Sequence, residues 1–196
     1  MAYYLMSKDA GITMMPSRLV NIEGSQNFLT QRFDRMDGKK LHTQTLAAMS
    51  SLADTYEDLF VIGRKIKLSA AAQAQQFRRM VFNVLAANVD DHTKNFSFIM
   101  NEQGDWQLSP AYDLIFSADP NLHFFRNHEL SISGKRNNIT KKDLLLFAQR
   151  QDVKNAANII DEVSDAVAKF KEYAESVDIS EYWIKKIESV LRETAI

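Results

Sequence analysis

Two carboxylates, a histidine, a lysine and an amide lie within six residues near the middle of the sequence. The stretch NVDDHTKNFSF contains Asp90, Asp91, His92, Lys94 and Asn95, and it directly follows the apolar run FNVLAA. A carboxylate can accept the proton of a hydroxyl group, and carboxylate and amide oxygens are the ligands that the hard Mg²⁺ ion prefers. These residue types favour metal-assisted transfer of a phosphoryl group, which needs positioning and charge neutralisation more than covalent help.

A second acidic position, Asp113, follows in the stretch WQLSPAYDLIFS. In protein kinases the catalytic aspartate and a metal-binding asparagine are five positions apart, and a later aspartate binds the magnesium that bridges the phosphates. Asp90, Asn95 and Asp113 have that order and spacing. The alternative for Asp90 and Asn95 is a solvated connection that is capped by its own side chains. The alternative for Asp113 is a cap on a helix that begins at Leu114.

Helical patterns dominate the chain around these residues. A short helix is predicted over 2–10, and the strongest pattern runs over 70–88, where Ser69 can cap a run of apolar residues spaced by three and four. Thr140 and Asp143 have the spacing of a capping box at the start of another helix. A further helix face is predicted for three apolar residues: Leu46, Met49 and Leu52.

Two short hairpins complete the predicted fold, which is mainly α with small β-hairpins, an α+β class. The first pairs Ser17–Ile22 with Asn27–Phe33 across a glycine turn, and the second pairs Phe96–Met100 with Trp106–Leu108. A two-stranded hairpin is marginal in water, so the first one needs a partner sheet or a helix. The aromatic run His123–Phe125 is expected to pack in the core.

Composition excludes several classes of protein. The chain has 196 residues, a net charge of −1 and no cysteine. We therefore expect no direct binding of nucleic acid, no disulfides and no thiolate metal site, which fits a cytoplasmic protein. The start MAYYLMSKDAG lacks the basic and apolar regions of a signal peptide, and no stretch approaches the roughly 20 apolar residues that span a membrane.

Several motifs together resemble one known family. NVDDHTKNFSFI followed by WQLSPAYDLIFS is similar to the HipA family, the kinase-like toxins of bacterial toxin–antitoxin modules. LTQRFDR with the following KLHTQTLAAM, and ELSISGKRNNIT, resemble the same family. The resemblance extends from LMSKDAGI to the helical end. It implies a serine/threonine protein kinase that uses ATP and Mg²⁺ and acts on a protein substrate.

The resemblance implies a role for each polar residue of the loop. Asp90 would be the catalytic base, whereas Asn95 and Asp113 would bind Mg²⁺. His92 and Lys94 would support catalysis from within the loop, and Lys94 could meet the negative charge of the transferred phosphate.

The resemblance also implies a hinge that meets the adenine of ATP. Gln31, Arg32 and Phe33 would form it through backbone groups, and some family members carry an acidic residue in place of Gln31. Residues 1–35 would then be the remnant of an N-terminal lobe with its hinge. Residues 36–196 would be the helical C-terminal lobe of a protein-kinase-like fold.

Family members are generally longer, and their N-terminal lobe supplies a phosphate-covering loop and a phosphate-binding lysine. Before residue 17 the sequence has no G-x-G-x-x-G and a single lysine, Lys8. We therefore expect weak or absent activity from the chain alone, and an apolar surface near Leu19 and Phe28 that awaits a partner. That partner would be a separate N-lobe subunit, an antitoxin or a second copy of the chain. A split gene, a truncated remnant and an engineered fragment would each explain this pattern.

Two other functions fit the residues less directly. One is a non-catalytic module that keeps the kinase-like fold and binds an antitoxin or a sibling subunit. The other is a magnesium-dependent phosphodiesterase that uses Asp90, Asp91 and Asp113. Two-metal hydrolases usually hold more carboxylates or histidines around their ions, which disfavours the second.

Overall fold

The computed structural model describes residues 1–36, 38–119 and 127–196, and the predicted packing of His123–Phe125 lies outside these ranges. Helices form most of the regular structure described, and the strands pair in small antiparallel sheets, which confirms the predicted fold class. No helix in these ranges is long and apolar enough to cross a membrane. The helices are α1 (Ala2–Asp9), α2 (Leu46–Met49), α3 (Tyr56–Lys65), α4 (Ala70–Leu85), α5 (Lys141–Arg150), α6 (Ala156–Ala168), α7 (Phe170–Glu175) and α8 (Glu181–Thr194). The strands are β1 (Ser17–Ile22), β2 (Ser25–Thr30), β3 (Arg35–Met36), β4 (Lys39–Lys40), β5 (His42–Thr45), β6 (Ser97–Met100) and β7 (Trp106–Leu108).

Helix α4 is the centre of the helical core. The hydroxyl of Ser69 caps it by accepting a hydrogen bond from the backbone N–H of Ala72 at 3.2 Å. Its C-terminal half is buried because α3, α6 and α8 pack around it. The helix predicted over 70–88 is confirmed as far as Leu85. The chain then turns into residues 88–95, which we call the polar loop.

Complete capping boxes begin α5 and α3. The hydroxyl of Thr140 accepts from the N–H of Asp143, and the carboxylate of Asp143 accepts from the N–H of Thr140, as the sequence spacing predicted. Thr55 and Asp58 make the same pair of bonds at the start of α3. Because α3 begins at Tyr56, this cap fixes a tyrosine that lies beneath the polar loop.

Strands β5, β6 and β7 form a sheet of three strands, with β6 in the centre. Strand β5 pairs Thr45 with Ser97, so it ties the start of α2 to the end of the polar loop. The helix predicted through Leu52 is wrong, because α2 ends at Met49 and Leu52 is 89% exposed in a turn. The chain leaves the helix at Ser50, whose backbone is extended, with φ −151° and ψ 109°.

Strands β1 and β2 form a separate two-stranded ribbon, joined by a two-residue turn. Glu23 and Gly24 have φ angles of 53° and 82°, and positive φ at both turn residues is the pattern of a tight hairpin turn. Because this turn uses only two residues, β2 begins at Ser25. The predicted strand Asn27–Phe33 is therefore displaced, and it ends at Thr30.

The ribbon has little support from the rest of the protein. Every residue of β2 is exposed. On one face Phe28 makes an edge contact with Tyr4 of α1, with ring centroids 6.4 Å apart. On the other face Val20, Ile22 and Leu29 form what we call the apolar stripe, in which Ile22 is 56% and Leu29 47% exposed.

Candidate active site

The polar loop leaves α4 through a left-handed turn. The N–H of Asn88 bonds back to the carbonyl of Asn83 at 2.9 Å, and Ala87 between them has a φ of 53°. This bond across six residues is a common way to end a helix, because it satisfies a carbonyl that the helix end leaves free. The chain then runs extended and closes into a 3₁₀ turn over Thr93–Asn95 before entering β6.

Three of the predicted site residues lie together within the loop. The side-chain amide of Asn95 donates to the backbone carbonyl of Asp90 at 2.9 Å. Nε2 of His92 lies 3.8 Å from Oδ1 of Asp90, and the two side chains are 40% and 41% exposed. The bond from Asn95 therefore holds the backbone of the loop in a turn, while the carboxylate of Asp90 remains open to solvent. Lys94 is exposed.

The second predicted segment is fastened next to this loop. Asp113 is exposed and has a φ of 55°, and its backbone carbonyl accepts from the side-chain amide of Asn88 at 3.3 Å. No helix begins at Leu114, so the alternative in which Asp113 is a helix cap is wrong. A polar side chain that starts the loop thus also holds the backbone of Asp113.

Tyr112 makes the second connection between the two segments. Its hydroxyl donates to the backbone carbonyl of Lys94 at 2.6 Å and lies 2.5 Å from the hydroxyl of Ser97. Burial raises the pKa of Tyr112, so the phenol stays protonated as the donor that this bond requires. The two hydrogen bonds, from Asn88 and from Tyr112, fix the loop and the Asp113 segment relative to each other.

One of the three predicted hinge residues reaches this arrangement. The ring of Phe33 stacks on that of Tyr112, with centroids 5.6 Å apart and 24° between the planes. Arg32 instead pairs with Asp34 through two hydrogen bonds of 2.8 and 2.7 Å. The N–H of Gln31 donates to the carbonyl of Pro16 at 3.0 Å. A cavity of about 310 Å³ lies beside this segment, lined by Pro16, Ser17, Arg18, Leu29, Thr30 and Gln31.

Sequence reasoning missed the role of Asp91, which lies beneath the loop. Its fully buried carboxylate accepts hydrogen bonds from the hydroxyl of Tyr56 at 2.6 Å and from Nδ1 of His128 at 2.9 Å. It also accepts from the backbone N–H groups of Glu129 at 2.8 Å and Leu130 at 3.4 Å. Burial and the charge of Asp91 raise the pKa of Tyr56 well above its usual value, so Tyr56 remains a donor.

A chain of buried amides continues this network toward both segments. Asn83 donates to the hydroxyl of Tyr56 at 3.0 Å and accepts from Asn88 at 3.0 Å. The hydroxyl of Ser117 donates to Asn88 and accepts from the N–H groups of Val89 and Asp90 at 2.8 and 3.0 Å. The backbone N–H of Asp90 is therefore held by a side chain from outside the loop, that of Ser117.

Buried polar residues on α4 are the signal that could have revealed these contacts, and they are Gln76, Arg79 and Asn83. Arg79 and Asn83 are one helical turn apart among apolar residues, and buried polar groups require partners. Arg79 donates to the carbonyl of Ser109 at 2.6 Å, just before the segment that leads to Asp113. Burial lowers the pKa of Arg79 to about 10, which leaves it charged at neutral pH.

Asn95 and Asp113 are the candidate donors for a metal ion. Within residues 1–36, 38–119 and 127–196 there is no cluster of three or more histidine, cysteine or acidic side chains that could hold a metal. Mg²⁺ is commonly bound by one or two protein oxygens together with water and phosphate, and Asp113 and Asn95 offer such oxygens. The phosphodiesterase alternative loses Asp91, because its carboxylate is already saturated by four donors.

One family of known proteins matches most of this chain. The family described as the HipA-like C-terminal domain matches residues 1–170. The chain belongs to this family. "Putative kinase Y4dM" of Sinorhizobium fredii is 29% identical to this HipA-like chain over 175 residues, which cover 85% of the chain and 42% of the relative. "Serine/threonine-protein kinase toxin HipA" of Shewanella oneidensis is 34% identical over 61 residues, which cover 31% of the chain and 14% of the relative.

Solved structures share the fold of the HipA-like chain. HipA of Shewanella oneidensis MR-1, in a complex with HipB and operator DNA, matches with a TM-score of 0.77 at 16% identity, covering 99% of this chain and 53% of that chain. The Helicobacter pylori proinflammatory kinase CtkA matches with a TM-score of 0.55 at 12% identity, covering 100% of this chain and 86% of that chain. The HipA-like chain spans about two fifths of the length of the first curated relatives that it matches.

Proposed function

We propose that the HipA-like chain is the catalytic lobe of a serine/threonine protein kinase. The observation that carries this proposal is the fastening of the loop at Asp90–Asn95 to the segment of Asp113 by the side chains of Asn88 and Tyr112. A solvated connection would not need a side chain from each segment to bond to the backbone of the other. Kinase relatives in the same family support the same chemistry.

In this proposal Asp90 accepts the proton of the substrate hydroxyl, because its half-exposed carboxylate is free while its backbone is fixed. Asn95 uses its amide nitrogen on Asp90, which leaves the amide oxygen for the metal together with the carboxylate of Asp113. Bound Mg²⁺ would neutralise charge on the phosphates of ATP. His92 borders Asp90 at 3.8 Å, and exposed Lys94 offers a cation for the transferred phosphate.

The nucleotide base would lie against Gln31, Arg32 and Phe33. The stacking of Phe33 on Tyr112 supports this placement, because it connects the hinge to the tyrosine that anchors the loop. The side chain of Arg32 is occupied by Asp34, so its backbone is the part that remains for adenine. Residues 1–35 then act as the hinge side of an N-terminal lobe, and residues 36–196 as the C-terminal lobe.

The exposed ribbon supports the proposal that the chain needs a protein partner to be active. The apolar stripe offers large side chains to solvent on an element that has little packing of its own. A complementing N-lobe segment is the partner that we propose, and an antitoxin or a second copy would be the alternative. The relative of known structure was solved with HipB, which makes an antitoxin-type partner testable in the same assay.

The test measures transfer of the γ-phosphate from Mg·ATP to protein serine and threonine. The chain is assayed alone and with the N-terminal segment of a HipA-like relative added in trans. We expect transfer in the complemented reaction, and a loss of about 10²–10⁴-fold in Asp90→Asn, the range for removal of a general base. Asp165→Asn, an exposed acid on α6, is the matched control. Transfer that survives in Asp90→Asn, or no ATP binding in either reaction, contradicts the proposal.

The apolar stripe also favours a second candidate, a non-catalytic module that binds a partner through the ribbon. Calorimetry with the N-terminal segment and with an antitoxin-type protein separates the two functions. Partner binding that is lost in Leu29→Ser, without ATP binding under any condition, supports the module. Mg·ATP binding that is lost in Asp113→Asn supports the kinase.

A further inference from the structure

The carboxylate of Asp91 is enclosed where water cannot reach it. Its side chain is 0% exposed, next to the half-exposed Asp90. Removing a carboxylate from water costs several kcal/mol unless hydrogen bonds and charges compensate for the loss. Four donors compensate here, and none of them belongs to the polar loop itself.

Three of the four donors come from one short part of the chain, residues 127–133, which we call the docking segment. They are Nδ1 of His128 and the backbone N–H groups of Glu129 and Leu130. An ionised carboxylate can only accept, so Nδ1 of His128 carries the proton in this bond. Without the docking segment, Asp91 would keep Tyr56 alone and would lie buried with most of its acceptor sites empty.

The docking segment also grips the backbone on the other side of Asp90. The N–H of Glu129 donates to the carbonyl of Val89 at 3.1 Å, while the N–H of Val89 bonds to Ser117. Its far end is anchored on α3, because the N–H of Tyr56 donates to the carbonyl of Ser131 at 3.0 Å. The segment therefore bridges α3 and the residues on both sides of Asp90.

We propose that Asp91 is the positioning residue of the candidate active site, and that binding of the docking segment to its carboxylate holds Asp90 in place. This inference rests on the proposed function for its catalytic consequence, but its structural part does not need turnover. The carboxylate of Asp91 is enclosed and bonded to four donors. It acts through its neighbour, and it makes the loop depend on His128, a residue 37 positions further along the chain.

Amide hydrogen exchange on the 196-residue chain tests the structural part. Asp91→Asn and His128→Ala should accelerate exchange at residues 88–95 while leaving α6 unchanged, because local opening exposes only the amides that the network protects. His128→Asn should restore protection, since its side-chain amide can place an N–H close to the position of Nδ1. Asp165→Asn is the control. If Asp91→Asn destabilises the whole chain, the comparison of His128→Ala with His128→Asn tests the inference instead.

Kinetics on the complemented enzyme test the catalytic part. We expect kcat to fall about 100-fold in His128→Ala, the order of loss caused by a misplaced catalytic group, and to recover in His128→Asn. The affinity for Mg·ATP should change by less than about twofold, because Asp91 is not a ligand. Unchanged loop exchange, or equal acceleration in the loop and α6 in His128→Ala, overturns this inference alone. Retained transfer in Asp90→Asn overturns the proposed function instead.

Discussion

The residues assigned to catalysis and the residues assigned to the nucleotide base lie in two regions that are supported very differently. Tyr56 and Asn83 bond to the polar loop at Asp91 and Asn88, and the loop is continuous with a sheet of three strands. The ribbon of β1 and β2 pairs only with itself as a sheet, and its second strand is exposed throughout. Buried contacts fix the conformation of the polar loop, whereas the conformation of the ribbon depends mainly on its own turn.

This difference indicates which parts of the candidate site the chain holds in place by its own contacts. Hydrogen bonds from distant residues fix the loop, so its geometry should survive without any partner. A two-stranded ribbon is marginally stable by itself, so the ribbon should open locally long before the core does. We expect a partner to order the ribbon and to leave the loop as it is.

A matched pair of phenylalanines in strands tests the contrast most strongly. Phe98 in β6 is fully buried, whereas Phe28 in β2 is 49% exposed. Phe98→Ala should lower the free energy of unfolding by about 3–5 kcal/mol, because it leaves a cavity in the core. Phe28→Ala should cost less than about 1 kcal/mol, closer to a surface substitution. Urea denaturation of both variants measures this, and similar losses would show that the ribbon is part of the cooperative core.

A matched pair of tyrosines tests the network beneath the loop. Tyr56→Phe removes a donor to Asp91 and an acceptor for Asn83, so it should cost about 1–3 kcal/mol in unfolding free energy. Tyr182→Phe changes an exposed residue on α8 and should stay within about 0.5 kcal/mol. Thermal and urea unfolding of the two variants provide the comparison. An equally small effect for Tyr56→Phe would mean that the network contributes little to stability.

A smaller effect is expected at the connection between the loop and the Asp113 segment. Tyr112→Phe loses the bonds to Lys94 and Ser97 but keeps the stacking on Phe33, so we expect a loss of about 1 kcal/mol. Thr30→Val removes a hydroxyl bond to Ser17 in the exposed ribbon and should be within about 0.5 kcal/mol of the parent. Urea titrations measure both. A larger loss in the ribbon variant would reverse the proposed contrast.

The smallest expected difference is in how the unfolding free energy depends on acidic pH. A hydrogen bond from Lys135, followed by those from Thr140, lowers the pKa of Asp143 to about 2. A carboxyl whose pKa is lower in the folded state stabilises above its unfolded pKa of about 4, and this contribution disappears as the pH falls toward 2. Since Asp143 is partly exposed, the loss should be below about 1 kcal/mol.

Asp143→Asn should remove this part of the pH dependence when the unfolding free energy is measured between pH 5 and 2. Asp34 also has a lowered pKa, chiefly because of a hydrogen bond from Arg32. Its arginine partners are one and two residues away, so the pairing persists in the unfolded chain and Asp34→Asn should change the pH dependence less. A stronger effect at Asp34 than at Asp143 would contradict this expectation.

Local patterns predicted the elements whose causes are local. The cap at Ser69, the capping box at Thr140 and the apolar spacing in α4 each act within a few residues, and each was found. The helix predicted through Leu52 ends at Met49, and the bounds of β2 depend on a two-residue turn and on the pairing with β1. Strand β5 depends on pairing with β6, more than fifty residues away, so no local pattern predicted it.

The candidate site divides in the same way. The hydrogen bond from the side chain of Asn95 to the carbonyl of Asp90 joins residues five positions apart, so it is a local contact. The partners of Asp91 lie 35 and 37 positions away, so their convergence depends on the tertiary fold. The assignment of Asn95 and Asp113 to the metal, and of Gln31–Phe33 to adenine, remains a prediction from the sequence.

The left-handed backbone at Asp113 limits which residues could replace it in this chain. At a φ of 55° glycine, asparagine and aspartate are accommodated readily, whereas branched side chains are strongly disfavoured. A replacement that removes the proposed metal ligand is therefore accommodated best as asparagine or glycine. Either replacement keeps the surrounding chain path, so a former enzyme could survive as a binding protein with its architecture intact.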